Sequence, residues 1–452
     1  MKLTSIYSKL PVCLQNACVS AYGFLRERRR YGGNFKEHYK SVLLTEFAND
    51  KEVYILQKEK LHNLLVTAST ARYYKRLFSD IGVDVVEEDP FEIFKKMPIL
   101  SKESLRGNEK DFFTDKVAGA LDFHTSGSTG TPLNVKMSKS DHRLRMALLE
   151  RQKNRFGVSH KSRHLTFVGK KITDPKKKTF WRYNIFGNQM VMSVYDLSDG
   201  NKEKYLNAIV KYSPEVVEGY PSALTVVASW LRDGDVRLPV KCVFATAETI
   251  TSEQRQIIEA GFGAPVVGYY GSTEGATMIT QCEYGKMHID NESGMIEFVD
   301  DAGMPSKSGE MSRMLITSFT TEAMPLIRYD ICDMAIWSDE ICSCGRCGLV
   351  VSEIVGRVDD VFITREKGNV GRLSTSLKLL PSFVRRAQIH QYSLDDFELM
   401  LESDECLSEL ELKVVCDDLC DKLGNVNITV SYTPKIPEGK NGKFRTQINH
   451  CK

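Results

Sequence analysis

Residues 124–133 read HTSGSTGTPL, a run of glycine and hydroxyl side chains in a sequence that is otherwise 27% charged. Such residues cannot fill a core, so the segment reads as a loop. Glycine admits positive φ and lets backbone come close to a ligand. Free N–H groups beside hydroxyls are the donors with which loops cradle phosphate. A plain surface connector has the same composition, and the loop alone leaves both readings open. A second concentration of chemistry is CSCGRCG, which carries Cys342, Cys344 and Cys347, while CEYGKMH farther back supplies Cys282 and His288. Thiolates and imidazole at this spacing suit tetrahedral Zn²⁺. Cys282, His288, Cys342 and Cys344 would staple two loops together, with Cys347 as a replacement ligand or a free thiol. Four protein ligands leave no open position, so the site is expected to be structural. Other cysteines, such as Cys242, Cys332 and Cys416, read as small apolar packing residues.

Composition narrows the classes. A chain of 452 residues has room for two or three domains. A net charge of only +2 gives no nucleic-acid-binding surface, and no apolar run reaches the length of a transmembrane segment. The 12 cysteines are scattered apart from the one cluster, which suits reduced thiols and a cytoplasmic protein. The opening, MKLTSIYSKLPVCLQNACVSAYGFLRERRR, is mildly apolar, but Gln15, Asn16 and the arginines spoil it as a secretion signal. It reads as a helix lying on its own domain, with a helix touching a membrane or partner as the other reading. The basic stretch 161–178 reads as a solvated loop, or as a grip for an anionic substrate.

The elements that must position these residues follow from periodicity. Residues 36–110 carry helical repeats such as Val53, Leu56, Leu61, Leu64 and Leu65. From 160 to 270 short apolar runs (HLTFVG, VVEGY, KCVFAT, PVVGYYGS) alternate with helical stretches, the rhythm of a mostly parallel sheet covered by helices. After 285 strands and turns suggest antiparallel pairing. Residues 359–452 read as an α+β block with strands near ELELKVVC and NITVSY.

Downstream of the glycine-rich loop stand YYGSTEGA (269–276), PLIRYDICD (325–333), VGRVDD (355–360) and GKNGKFR (439–445). In that order and spacing these segments resemble the adenylate-forming (acyl-CoA synthetase) superfamily. AYGFLRERRRYGGNF, FWRYNIFG and EGYPSAL make the chain most similar to phenylacetate–CoA ligase relatives of the CapK-type, capsular polysaccharide biosynthesis branch. The resemblance covers nearly the whole chain. It implies an α/β fold with a large N-terminal adenylation domain over 1–357: a helical start to 110, an α/β core over 111–280, and a β-rich, zinc-containing part over 281–357. A small mobile α+β lid, 358–452, would follow.

The resemblance also assigns roles. Thr125, Ser126, Gly127, Ser128, Thr129 and Gly130 would wrap the β- and γ-phosphates of ATP; the lysine that often ends the family loop is Leu133 here. Tyr270 would cover adenine, with Gly271 beside it, and Thr273 would touch the α-phosphate. Glu274 would help bind Mg²⁺, a hard cation that prefers oxygen. Read alone, Ser-Thr-Glu also suits the start of an N-capped helix. Glu248 would lie at the adenine or ribose edge, and Asp333 would accept bonds from the ribose hydroxyls. Gly219, Tyr220 and Pro221 match a stretch that lines the acyl pocket. Arg357 would reach a phosphate, Asp359 matches the hinge, and Lys443 stands where the family carries its adenylation lysine. The implied activity is ATP- and Mg²⁺-dependent formation of an acyl-adenylate, then transfer to CoA or to an amine or hydroxyl. A role in surface-glycan synthesis and a homodimer are further expectations of the branch. Two rival readings are an adenylyltransferase that leaves AMP on its substrate and a non-catalytic scaffold in a glycan-synthesis complex.

Overall fold

A computed structural model describes residues 7, 9–124, 133–169, 172, 179–246, 250, 252–300, 302–354, 362–370, 373, 376–381, 383–436 and 447–451. The N-terminal part is helical, as the apolar repeats predict, with Phe35–Leu44, Asp50–Ala68, Arg72–Asp80 and Pro90–Lys96. Asn49 and Glu52 cap the second of these reciprocally. Its Leu61, Leu64 and Leu65 are fully or almost fully buried in a core shared with the antiparallel sheet.

The α/β rhythm becomes a sheet of six strands in the order Trp181–Asn184, Gln189–Ser193, His164–Val168, Val216–Gly219, Cys242–Ala245, Val266–Val267. All neighbours run parallel except the outermost strand, which returns antiparallel. Helices Lys202–Tyr212, Pro221–Asp233 and Ser252–Phe262 make the crossovers. They cover one face, where Val217 and Val243 have no exposed surface, while Val216 and Cys242 are fully buried on the other face beside Val158 and Phe156.

Immediately after Val267 the chain changes sheets. Tyr269–Tyr270 is the edge of a seven-stranded antiparallel sheet ordered Gly294–Val299, Met311–Ser318, Tyr329–Ser338, Val350–Ile354, Met287–Ile289, Ile279–Gln281, Tyr269–Tyr270. Helix Lys139–Arg155 is locked to this sheet by Arg151, which donates to Asp290 at 2.8 Å and to Glu292 at 2.6 Å, all buried.

The C-terminal part has its own apolar core, with Phe362, Leu399, Val415 and Leu419 at its centre. Its sheet runs Asn427–Thr433, Asp396–Glu402, Arg386–Gln391, Gln447–Asn449. Asn427–Thr433 is the expected NITVSY strand. ELELKVVC is not a strand: it opens the helix Glu409–Leu423. The alternation of Glu and Leu mimics a strand period, but Ser408 and Glu411 form a capping box, and Val415, Leu419 and Leu423 are buried at helical spacing. Among the described residues no helix is long and apolar enough to cross a membrane.

Candidate functional site

Ligands of open parallel sheets bind outside the carboxyl ends of the strands, and several predicted residues lie there. Gly219 ends its strand where a Cβ would come 2.9 Å from Phe167 Cβ, so only glycine lets the neighbouring strands pack. Tyr220 and Pro221 then start the helix Pro221–Asp233, with proline at the position whose N–H has no helical partner. Gly169 sits against the Tyr220 ring, 2.9 Å separating a hypothetical Cβ from Cε2. Tyr195 donates to the Gly169 carbonyl at 3.1 Å, and burial pushes its phenol above the ordinary range. Tyr195 and Tyr220 thus form an aromatic wall at this edge.

Where the chain crosses to the second sheet, Tyr270 Oη donates to Asp333 Oδ2 at 2.8 Å. Asp333 reaches it from a bulge. Leu315 pairs with Asp330 and Arg313 with Met334, which leaves Ile331, Cys332 and Asp333 opposite Met314 alone. Cys332 adopts φ +61°, and its N–H is held by Asp330 Oδ1 at 2.9 Å. That backbone is strained for a non-glycine residue, and it aims the next carboxylate toward Tyr270. The packing role expected for Cys332 is not realised, because the bulge turns its side chain outward and exposes it. Cys242 is buried and Cys416 half-buried.

Gly271 and Thr273 are exposed, and Glu274 is buried. The segment Ser272–Gly275 is a turn, not the start of a helix. Gly275 closes it at φ +82°, where a Cβ would lie 2.8 Å from Thr321 Cγ2 and 2.9 Å from Met137 Cε. Met137 belongs to the hairpin Leu121–His124/Asn134–Met137, whose register pairs His124 with Asn134 at the two ends of the glycine-rich segment. Met137 pairs with Leu121 at the opposite end of this hairpin, so the contact with Gly275 joins the base of the hairpin to the Glu274 turn. Residues Thr125, Ser126, Gly127, Ser128, Thr129 and Gly130 lie outside the described residues, as do Glu248, Arg357, Asp359 and Lys443. Leu133 is fully buried.

The Cys/His cluster is brought together. The ligand atoms of Cys282, His288, Cys342 and Cys344 all lie within 4.8 Å of one another. Cys282 Sγ and Cys342 Sγ are 3.8 Å apart, and Cys344 Sγ is 3.4 Å from His288 Nε2. A tetrahedral zinc with its usual bond lengths has edges of about 3.8 Å between sulfurs and about 3.6 Å from sulfur to nitrogen. His288 Nδ1 faces the Gly348 carbonyl at 3.2 Å, an arrangement that fixes the tautomer with Nε2 free to ligate. Cys347 is not part of the cluster: its thiol faces Asp50 Oδ1 at 2.7 Å.

Residues 362–450 match the CapK C-terminal domain family. Protein CapK of Staphylococcus aureus is 28% identical, with both chains covered over their full lengths. The phenylacetate–coenzyme A ligase of Thermus thermophilus is 27% identical over 87% of this chain and 96% of that one. These likenesses support the adenylate-forming ligases, on the phenylacetate–CoA-ligase-like CapK branch. A solved 2-hydroxyisobutyryl-CoA ligase, in complex with its acyl-AMP and CoA, shares the fold at a TM-score of 0.58 and 17% identity, covering 90% of this chain and 91% of that one. Indoleacetate–lysine synthetase of Pseudomonas savastanoi is 31% identical over 33% of this chain and 36% of that one.

Two cations beside the turn escape the motifs read in the sequence. Lys102 Nζ lies 3.0 Å from Glu274 Oε1, and both side chains are under a tenth exposed. Its sequence signal is faint: Ser101 caps a short helix that opens with a lysine, although a helix N-terminus disfavours cations. Arg145 donates to the Ala276 carbonyl at 2.7 Å and to Thr320 Oγ1 at 3.0 Å, fixing the strand that leaves the turn. Burial presses its pKa down to about 10. Nothing in the sequence marks Arg145 among the arginines of its helix.

Proposed function

We propose that the protein is an ATP- and Mg²⁺-dependent carboxylate ligase. A carboxylate is a poor acyl donor because oxide is a poor leaving group. Its oxygen attacks the α-phosphorus of ATP, pyrophosphate departs with the P–O bonding electrons, and the resulting mixed anhydride has AMP as a stable leaving group. An acceptor then attacks the acyl carbon and AMP leaves. The observation that carries this reading is the Tyr270–Asp333 contact beside the turn that holds Glu274. It joins two segments far apart in sequence into one face with an aromatic ring, a carboxylate and an exposed hydroxyl at Thr273.

Within that face Asp333 would accept the ribose hydroxyls while Tyr270, oriented by it, covers adenine. Gly271 and Thr273 would line the α-phosphate. The donor chemistry suits a hard cation, since Glu274 offers carboxylate oxygen, and Mg²⁺ bound with ATP would supply charge neutralisation. Lys102 would turn from Glu274 to the triphosphate, standing in for the lysine that Leu133 replaces. Thr125–Gly130 would wrap the terminal phosphates, Glu248 would edge the nucleoside, and Gly219, Tyr220 and Pro221 would line the acyl site. Arg357 would bind phosphate, Asp359 would be the swing point of a 358–452 lid, and Lys443 would offset charge in adenylation.

The CoA ligases among the relatives support CoA as acceptor. The likeness to a lysine-conjugating synthetase supports an amine instead. A surface-polysaccharide role rests on similarity to CapK alone. Zn²⁺ at Cys282, His288, Cys342 and Cys344 would be structural. The test is to screen carboxylic acids, uronic and amino acids included, for ATP–pyrophosphate exchange, then to add CoA or amines to the acids that respond. Exchange with no transfer to any acceptor would point to an adenylyltransferase, and no exchange at all to a scaffold.

A further inference from the structure

The helix Val12–Tyr31 is turned inside out. Its buried residues are Gln15, Ser20 and Gly23, while Leu14 is 49% exposed, Tyr22 64% and Leu25 65%. Cys18 completes the outward stripe at the same helical spacing and is exposed.

The inward polarity has a cause. The helix lies along Trp181–Asn184, the edge strand of the parallel sheet, whose outer N–H and C=O groups need partners. Asn16 Oδ1 accepts from Tyr183 N at 3.0 Å, and Ser20 Oγ donates to Tyr183 O and accepts from Ile185 N, both at 3.2 Å. Gln15 Oε1 accepts from Arg182 Nε at 2.8 Å, and Arg26 donates to Gln189 Oε1 at 2.7 Å. Gly23 makes the approach possible, since a Cβ there would meet Asn184 Oδ1 at 1.9 Å. With the polar face spent on the strand, the apolar face is outward. The tip of the adjoining hairpin extends it: Phe186 is 60% exposed and lies 5.1 Å from Phe24, ring to ring, beside Ile185 at 77%.

The charge around this patch is predominantly positive. Arg28 and Arg29 are exposed at the end of the stripe. Glu27 is the sole acid between Tyr7 and Asn34, and Trp181–Gln189 contains none. Tyr7 Oη donates to the Ile172 carbonyl at 3.2 Å, and Lys9 beside it is exposed. A second copy docking on this patch through a twofold axis would oppose Arg28–Arg30 to the same arginines or to the Lys9 end. An aromatic and aliphatic strip flanked by cations matches the interface of a negatively charged bilayer.

We propose that the outward face of Val12–Tyr31, with Phe24, Ile185 and Phe186, docks on an anionic lipid membrane, the helix lying in its plane. The test is co-sedimentation of the full chain with vesicles of phosphatidylglycerol and phosphatidylcholine, or of phosphatidylcholine alone. The chain should pellet with the anionic vesicles, release at high salt and stay largely unbound with the neutral ones. Leu14→Ser/Tyr22→Ser/Leu25→Ser and Arg28→Glu/Arg29→Glu should each weaken binding by about tenfold or more, with circular dichroism and melting temperature unchanged. No vesicle binding by the wild type, or equal binding by the variants, would overturn the proposal. So would a dimer in sedimentation equilibrium that the serine variant dissociates, since it would assign the patch to a second copy.

Discussion

Lys102 and Glu274 are buried together 3.0 Å apart, and their desolvation cancels most of what their attraction contributes, so the pair is weak as a source of stability. Breaking one side is a different matter. Lys102→Met should destabilise the fold by about 3–5 kcal/mol, because Glu274 is left buried and unpaired. Lys102→Met/Glu274→Gln should recover much of that stability without recovering ATP–pyrophosphate exchange; urea unfolding and exchange on the same variants separate the two effects. Asp333→Asn should raise KM for ATP by about 10- to 100-fold, the worth of a hydrogen bond to a charged group. Tyr270→Phe keeps the ring and should cost less; steady-state kinetics in ATP reads both. The sequence marked Glu274 and Asp333 through their neighbours in a motif. It did not mark Lys102, because a lysine's partner lies in the tertiary fold.

At the scale of elements, the Cys/His cluster joins the turn after Ile279–Gln281 to the loop between Tyr329–Ser338 and Val350–Ile354. One zinc per chain is expected by elemental analysis. Cys342→Ser and Cys344→Ser should lose it and lower the melting temperature, whereas Cys347→Ser should keep it, because its thiol faces Asp50 instead. Ligand spacing made this site legible, and only geometry could separate Cys347 from it. The helix Glu409–Leu423 shows the opposite failure. ELELKVVC alternates over a length too short to distinguish the two periods, and the deciding signals were Ser408…Glu411 before it and Leu419 and Leu423 after it. Gly275→Ala should impair both folding and exchange, since φ +82° and the contacts to Thr321 and Met137 leave no place for a Cβ.

At the scale of the molecule, parallel and antiparallel sheets meet at Val267–Tyr269, and helix Lys139–Arg155 holds the junction through buried charges. Asp141, near its start, accepts from Glu322 N at 3.0 Å, yet burial raises its pKa from 3.8 to about 7, with Glu322 adding to the rise. A carboxyl whose folded pKa is raised binds its proton more tightly when folded. Its contribution is complete below about pH 4 and is lost as pH rises toward 7. Asp141→Asn should therefore leave stability near pH 4 unchanged and raise the melting temperature at pH 8. The order of strands and helices was legible because apolar runs and helical repeats alternate clearly over 160–270. The direction in which Val12–Tyr31 faces was not, since a helical pattern gives two faces and only the edge strand decides which is covered.

The most direct measurement of the central claim is acid-dependent exchange of labelled pyrophosphate into ATP by the wild type, Glu274→Gln and Lys443→Ala. At least one carboxylic acid should support exchange by the wild type, with both variants slower by about 10²- to 10³-fold. Exchange that is undiminished in both variants, or absent with every acid, would contradict the account.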